Sequence, residues 1–168
     1  MAKVRSAKTS DVAAIESLLL ASQLLPEGIK DHIANFLVAE EEGKIIGVGG
    51  FENCGGGVGL LRSIAVLQER QNQGIAAQLY EQVAAHACHS GVSGLYLLTT
   101  TAQGYFAKLG FECIERAKAP ESIRNTNQFR DLCPDTAVLM FRTVVPEGNG
   151  GATGSMPSPA ASPENDMY

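Results

Sequence analysis

The stretch LLRSIAVLQERQNQGIAAQLY, residues 60–80, decides the fold. Its first part, Leu60 to Val66, is an apolar run of strand length. Its last part opens the clearest helix of the chain, Gln73 to His89, with Ile75, Ala76, Leu79, Tyr80, Val83 and Ala87 on one stripe. A polar turn containing Gly74 joins them. A strand feeding a helix in this way leaves several N–H groups at the helix start without internal partners, and the aligned peptide dipoles add positive potential there. Anions bind at such a point. Gly74 lets the backbone approach a ligand closely, and Gln71, Asn72 and Gln73 are neutral donors, so a diphosphate is the natural guest. The chain has no G-x-x-x-x-G-K-[ST], and no G-x-G-x-x-G opens a helix after an early strand, which excludes the usual nucleotide cradles.

Working outward, Lys3 to Ser6 reads as a short strand and Thr9 to Ser22 as a helix, with Val12, Ile15, Leu18 and Leu19 at helical spacing and Ser10 or Asp11 as the cap. Pro26 and Gly28 break it. A short helical piece around Ile29 to Ala34 leads to Phe36–Glu41 and Lys44–Phe51, two strands with so short a link that they form an antiparallel hairpin. Gly55, Gly56, Gly57 and Gly59 read as turn residues, so the middle of the chain is a meander. Gly91 and Gly94 end the long helix. Leu95–Thr100 is then an inner strand, Ala102–Lys108 a short helix closed by Gly110, Phe111–Arg116 a strand, Pro120–Leu132 a helical turn and loop, and Ala137–Arg142 the last strand. Beyond Val145 four of the seven prolines gather with Gly, Ser and Ala. The expected division is one domain over residues 1–145 and a disordered tail over 146–168.

A chain of 168 residues with 45% hydrophobic and 18% charged residues has enough apolar material for one core and no room for a second domain. The 13 Lys and Arg against 18 Asp and Glu leave no phosphate-neutralising surface, so nucleic acid is not an expected partner. The opening segment is interrupted by Asp11 and Glu16, and no long uncharged run follows, so neither a signal peptide nor a membrane span is expected. Cys54, Cys88, Cys113 and Cys133 stand far apart, as in a cytoplasmic protein with reduced thiols. His86, Cys88 and His89 crowd one helix end without a matching cluster elsewhere, so no metal is expected.

Gln71-x-x-Gly74-x-Ala76 fits the [RQ]-x-x-G-x-[GA] signature of the acetyl-CoA-dependent N-acetyltransferases of the GNAT superfamily, and Ala107 to Glu112 (AKLGFE) looks like that superfamily's late helix-to-strand signature. With the element order, the resemblance covers residues 3–143. FLVAEEEGKIIGVGGFE, LLRSIAV, LYLLTTTAQGYFAKLGF and APESIR through LCPDTAVLM resemble the arsenic-resistance branch, and more distantly the acetyltransferase domain of the glutamate N-acetyltransferases of arginine synthesis. The resemblance implies an α/β (α+β) fold. Its mixed, mostly antiparallel sheet has about seven strands, splayed between the fourth and fifth, and about four helices flank it. It also implies an acyltransferase with acetyl-CoA as co-substrate.

In that family the pantetheine arm enters the gap between the strands equivalent to Leu60–Val66 and Leu95–Thr100. Carried over, Ile64, Ala65, Val66, Gln71, Asn72, Gln73, Gly74, Ile75, Ala76, Tyr105 and Phe106 line the cofactor. The N–H near Val66 faces the thioester carbonyl, a donor worth roughly 10²- to 10³-fold in rate. Glu52 is the carboxylate placed to take the amine's proton; the other reading is a solvated hairpin carboxylate. The family often protonates the leaving thiolate with a Tyr, and here that position is Phe106. Tyr105 is about 100° away around the helix and does not substitute for it.

For the acceptor, Arg62 and Arg124 are candidates to fork onto a carboxylate, phosphonate or arsonate, or to form surface ion pairs. Thr99, Thr100 and Thr101 either bind ligand or cap the next helix. The expected acceptor is a small acidic amino-acid-like amine, in arsenic detoxification or in ordinary amino-acid metabolism. A non-catalytic acetyl-CoA-binding module is the other class, and the oligomeric state, a homodimer included, is left open.

Overall fold

The computed structural model describes residues 2–22, 24, 26, 28–100, 102–126, 129–130 and 136–144. The tail and domain boundary expected near residue 145, together with Thr101, Leu132 and Cys133, lie outside the described residues. The strands are β1 (Lys3–Ser6), β2 (Phe36–Glu41), β3 (Lys44–Gly55), β4 (Val58–Val66), β5 (Gly94–Thr99), β6 (Glu112–Ile114) and β7 (Val138–Thr143). The helices are α1 (Val12–Ala21), α2 (Ile75–His89), α3 (Gln103–Lys108) and α4 (Glu121–Arg124), with short 3-10 turns between elements.

The strands form one sheet in the order β1-β2-β3-β4-β5-β7-β6. Every neighbouring pair is antiparallel except β4 and β5. That parallel ladder is short: Val58, Gly59 and Leu60 pair with Gly94, Leu95 and Tyr96, and pairing ends there. Leu61–Val66 and Leu97–Thr99 then part company, which is the expected splay between the fourth and fifth strands.

The period-2 alternation of β2 shows why this sheet is covered on both faces. Leu37 and Ala39 pack with Ile75, Leu79 and Val83 of α2 in one cluster, whereas Phe36 and Val38 pack with Ile15, Leu18 and Leu19 of α1 in another. Each of the larger buried side chains contributes about 1.5–3 kcal/mol relative to exposure. β3 carries Gly47 and Gly49 on the α2 side; a Cβ at Gly47 would crowd Leu79 of α2 and one at Gly49 would crowd Ile64 of β4, so the small size of Gly47 sets the close approach of helix to sheet. A third cluster places Ile123 of α4 over Leu60 and Leu139.

Several sequence-based boundaries move. β3 continues past Phe51 to Gly55, so Glu52 lies inside a strand rather than at its end. Gly59 belongs to β4 and Gly94 opens β5, because both pair across the sheet; only Gly56 and Gly57 form the turn, and they and Gly55, the last residue of β3, are all at positive φ. Asp11 does not cap α1 forward. Its Oδ2 accepts from the Lys8 N–H at 2.8 Å and holds the Arg5 guanidinium, which keeps its carboxyl below the usual range.

Candidate functional site

β4 is the hinge of the site, and one irregularity in it matters. Val48 pairs with Ala65 while Gly50 pairs with Arg62, so β4 carries one extra residue, and Ser63 takes the left-handed φ of 62°. This bulge re-aims the side chains on either side of it. Beyond the bulge the Leu67 N–H donates to Ile46 O at 2.9 Å, toward β3. Successive peptide groups of a strand alternate, so the Val66 N–H and C=O face the other way, into the opening between β4 and β5. The Val66 C=O is taken there by the Gln71 side-chain amide at 3.1 Å. Ile64 and Val66 pack against α2 and Ala65 against α1, so in these three residues the opening is presented with backbone rather than side chain.

The turn into α2 stands in solvent. Asn72 (φ 65°) and Gly74 (φ 81°) are both left-handed, Asn72, Gln73 and Gly74 are exposed, and a Cβ at Gly74 would meet nothing within 4 Å. The first helical bond is Gln78 N–H to Gly74 O, and among the described residues no side chain caps the start. The N–H groups of Ile75, Ala76 and Ala77 are therefore outside the intrahelical ladder. The glutamines that read as ligand donors serve the turn itself: Gln71 binds Val66 O, and Gln73 Oε1 accepts from Arg70 Nε at 3.2 Å. Arg70 also forks onto Glu41 at the end of β2, Nη1 to Oε1 and Nη2 to Oε2, the latter at 2.9 Å, and this holds the Glu41 carboxyl down at about 2.

Across the opening, Thr99 Oγ1 accepts from the Ala102 N–H at 2.9 Å and so ties the turn that leads into α3, while Thr100 is exposed. Tyr105 and Phe106 both sit in the core, 6% and 3% exposed, with rings edge-to-face at 5.5 Å and Phe106 against Phe111 at 5.6 Å. Where the family often has a phenol, this chain has a buried hydrocarbon ring.

At the β3 side lies an open cavity of about 500 Å³ lined by His32, Glu52, Asn53 and Cys54 with Ser122, Asn125 and Thr126 from α4 and the turn after it. Glu52 opposes Leu60 and Gly50 opposes Arg62, which makes Glu52 and Arg62 diagonal neighbours on one face. Arg62 Nη1 donates to Glu52 Oε2 at 2.8 Å and Arg62 Nε to Ser63 Oγ at 2.9 Å, with the Arg62 and Glu52 side chains only 5% and 13% exposed. The second carboxylate oxygen, Oε1, lies 3.7 Å from His32 Nε2. Burial and the neighbouring Glu52 charge push the Cys54 thiol up to about 11, so it stays a neutral thiol at physiological pH. Arg124 is exposed and is not among the residues lining the cavity.

The structure thus joins two candidates read separately, Glu52 and Arg62, and adds His32, which the sequence did not single out. The only local signal was Gly28: at φ 83° it turns the chain beneath both, and a Cβ there would meet Arg62 Nη1 at 3.3 Å and His32 Cδ2 at 3.7 Å.

A family model described as an acetyltransferase (GNAT) domain matches residues 32–113. An uncharacterized N-acetyltransferase of Chlorobaculum tepidum is 32% identical over 129 residues, 71% of this chain and 81% of that protein. N-acetylglutamate synthase from Neisseria gonorrhoeae, solved with coenzyme A and N-acetyl-glutamate, superposes with a TM-score of 0.76 at 22% identity over 86% of this chain. This chain spans only 35% of that synthase. A GNAT family acetyltransferase from Brucella melitensis, solved with acetyl-CoA, gives 0.58 at 25% identity over 67% of this chain and 83% of that one. With the split sheet and the open turn into α2 already in place, these likenesses settle the family: the chain belongs to the GNAT acetyltransferases and is an acyltransferase.

Proposed function

We propose that this acyltransferase moves the acetyl group of acetyl-CoA to the amine of a small amino-acid-like acceptor bound in the Glu52 cavity. The observation that carries the reading is the parting of β4 from β5 immediately beside the uncapped, exposed start of α2. The N–H groups of Ile75, Ala76 and Ala77 and the turn from Gln71 to Gly74 would hold the diphosphate. The pantetheine arm would lie in the gap, beside the packed rings of Tyr105 and Phe106. The Val66 N–H would meet the thioester oxygen as it gains charge during attack. The solved relatives carrying CoA or acetyl-CoA support the choice of co-substrate.

The amine enters as an ammonium, and Glu52 Oε1, the oxygen that Arg62 does not take, is the place for it. Catalysis then rests on holding amine and thioester together, with Glu52 drawing off a proton. The synthase complexed with N-acetyl-glutamate supports an amino-acid acceptor. Arg62 gives that acceptor's acid group a nearby positive charge, although its Nη1 already serves Glu52. An amino acid bearing an arsonate or arsinate, the setting that the arsenic-resistance resemblance implies, has the same amine and a similar anion.

Thiol release from acetyl-CoA, measured with acidic and neutral amino acids, their phosphonate and arsenical analogues, and a diamine, tests this. Turnover is expected with acidic amino-acid-like amines and not with the diamine. Binding of acetyl-CoA without turnover by any amine would overturn the reading in favour of a binding module. Residues 146–168 are proposed to lie outside the catalytic domain, so a chain ending at 145 should keep the full rate.

A further inference from the structure

An ammonium nitrogen that becomes an amide nitrogen sheds two protons as its N–C bond forms and the thioester C–S bond breaks. One ends on the departing CoA thiolate and the other must reach water. Glu52 is badly placed to deliver it there: its side chain is 13% exposed and Oε2 is fixed on Arg62 Nη1 at 2.8 Å. Among the described residues, Oε1 has one titratable neighbour toward the outside. His32 lies 3.7 Å away, its side chain is 32% exposed, and both residues line the same cavity.

We infer that His32 is the proton exit of the site, taking from Glu52 the proton that Glu52 takes from the amine and passing it to solvent. The inference rests on the function proposed above and names a residue that nothing in the family signature marks. A proton moves from N to Glu52 Oε1, then from Oε1 to His32 Nε2, directly after a small side-chain shift or through one water. The imidazolium then loses it to water, and no other reagent is needed. Imidazole suits the step because a ring nitrogen that accepts a proton on one side of the ring can be matched by release from the other.

The position of His32 is built rather than incidental. Its N–H is bound by Gly28 O and Ile29 O, each at 3.2 Å, and Gly28 leaves no side-chain space between His32 and Arg62. His32 itself departs from helical geometry (φ −118°, ψ 16°) inside the 3-10 segment Lys30–Asn35 that carries it. Among the described residues, the groups facing it are Glu52 and neutral Cys54 from β3 and Arg62 from β4. From α2, His86 meets only the far end of the same segment, at Ala34 O (3.1 Å).

The test uses the full chain and whichever amine supports thiol release. His32→Ala should lower kcat about 10- to 100-fold at neutral pH, leave the Kd for acetyl-CoA unchanged, and regain rate when imidazole is added to the buffer. Glu52→Gln should lose at least as much and gain nothing from imidazole. A His32→Ala enzyme at the wild-type rate overturns the inference, and so does a loss that no small base restores in either His32→Ala or His32→Gln, since the ring would then act by shape. Those results leave the proposed function standing, whereas a wild-type chain that acetylates no amine overturns the function and the exit together.

Discussion

Two arginine–glutamate pairs flank the free half of β4, and they are not equivalent. Arg70 grips Glu41 with both guanidinium nitrogens, the better contact geometry of the two, but the side chains are 28% and 19% exposed. Arg62 reaches Glu52 through Nη1 alone, yet those side chains are 5% and 13% exposed. Burial, more than the number of hydrogen bonds, sets what removing one partner costs: an exposed pair is screened by water, whereas a buried survivor is left as an unpaired charge. The division of labour follows. On the turn side the exposed pair shapes a loop whose backbone is offered to ligand. On the cavity side the buried pair is itself the chemical surface.

The largest effect should come from breaking the buried pair on one side. Arg62→Met leaves Glu52 without its guanidinium and should cost about 3–5 kcal/mol of stability, read by urea unfolding. Arg62→Met with Glu52→Gln should recover most of that loss while remaining inactive, because no carboxylate is left to receive the amine. Equal destabilisation in single and double variants would break the contrast, since the pair would then matter only for its packing volume.

Gly74→Ala probes the turn side at smaller amplitude. The new methyl meets no atom, so the cost is the left-handed φ of 81°, roughly 1–2 kcal/mol for a residue with a Cβ. If the turn relaxes to avoid it, the amides at the start of α2 move. The Kd for acetyl-CoA should rise about tenfold, equivalent to about 1.4 kcal/mol. The KM for the amine should stay the same, and a change in amine KM instead would show that the two sides are not separable.

The same contrast explains what was legible in the sequence. α2 and its turn could be read because apolar spacing and a glycine after a strand are local signals, and the structure keeps them within two residues. The cavity could not be read in the same way. Glu52 lies inside β3 because Asn53 pairs with Gly59 and Gly55 with Val58, although neither Asn nor Gly favours a strand. Arg62 meets Glu52 only through a register that includes a bulge at Ser63, where no glycine announces the positive φ. His32 is brought in from twenty residues away by a turn at Gly28. The splay of β4 from β5 came from family likeness alone, since nothing in Leu60 or Tyr96 marks where pairing stops.

The smallest effect is expected at the exposed pair, and its sign is set by pH. Arg70 holds the Glu41 carboxyl at about 2, below its usual value of about 4.5, so the folded state binds the Glu41 proton less readily than the unfolded chain does. The stabilisation is fully present above the usual carboxylate range and is lost as pH falls toward about 2. Glu41→Gln removes that dependence. At pH 7 the variant should unfold within a degree or two of the wild type, as befits an exposed pair. Between pH 4.5 and 2 its Tm should fall less steeply than the wild-type Tm, with Asp11 and its Arg5 partner left to supply acid sensitivity of the same sign. Parallel Tm curves for the two proteins would mean that water screens the Arg70 contact completely. The shape of the turn into α2 would then be credited to contacts within it, among them the Gln71–Val66 and Arg70–Gln73 bonds, and to the left-handed residues Asn72 and Gly74.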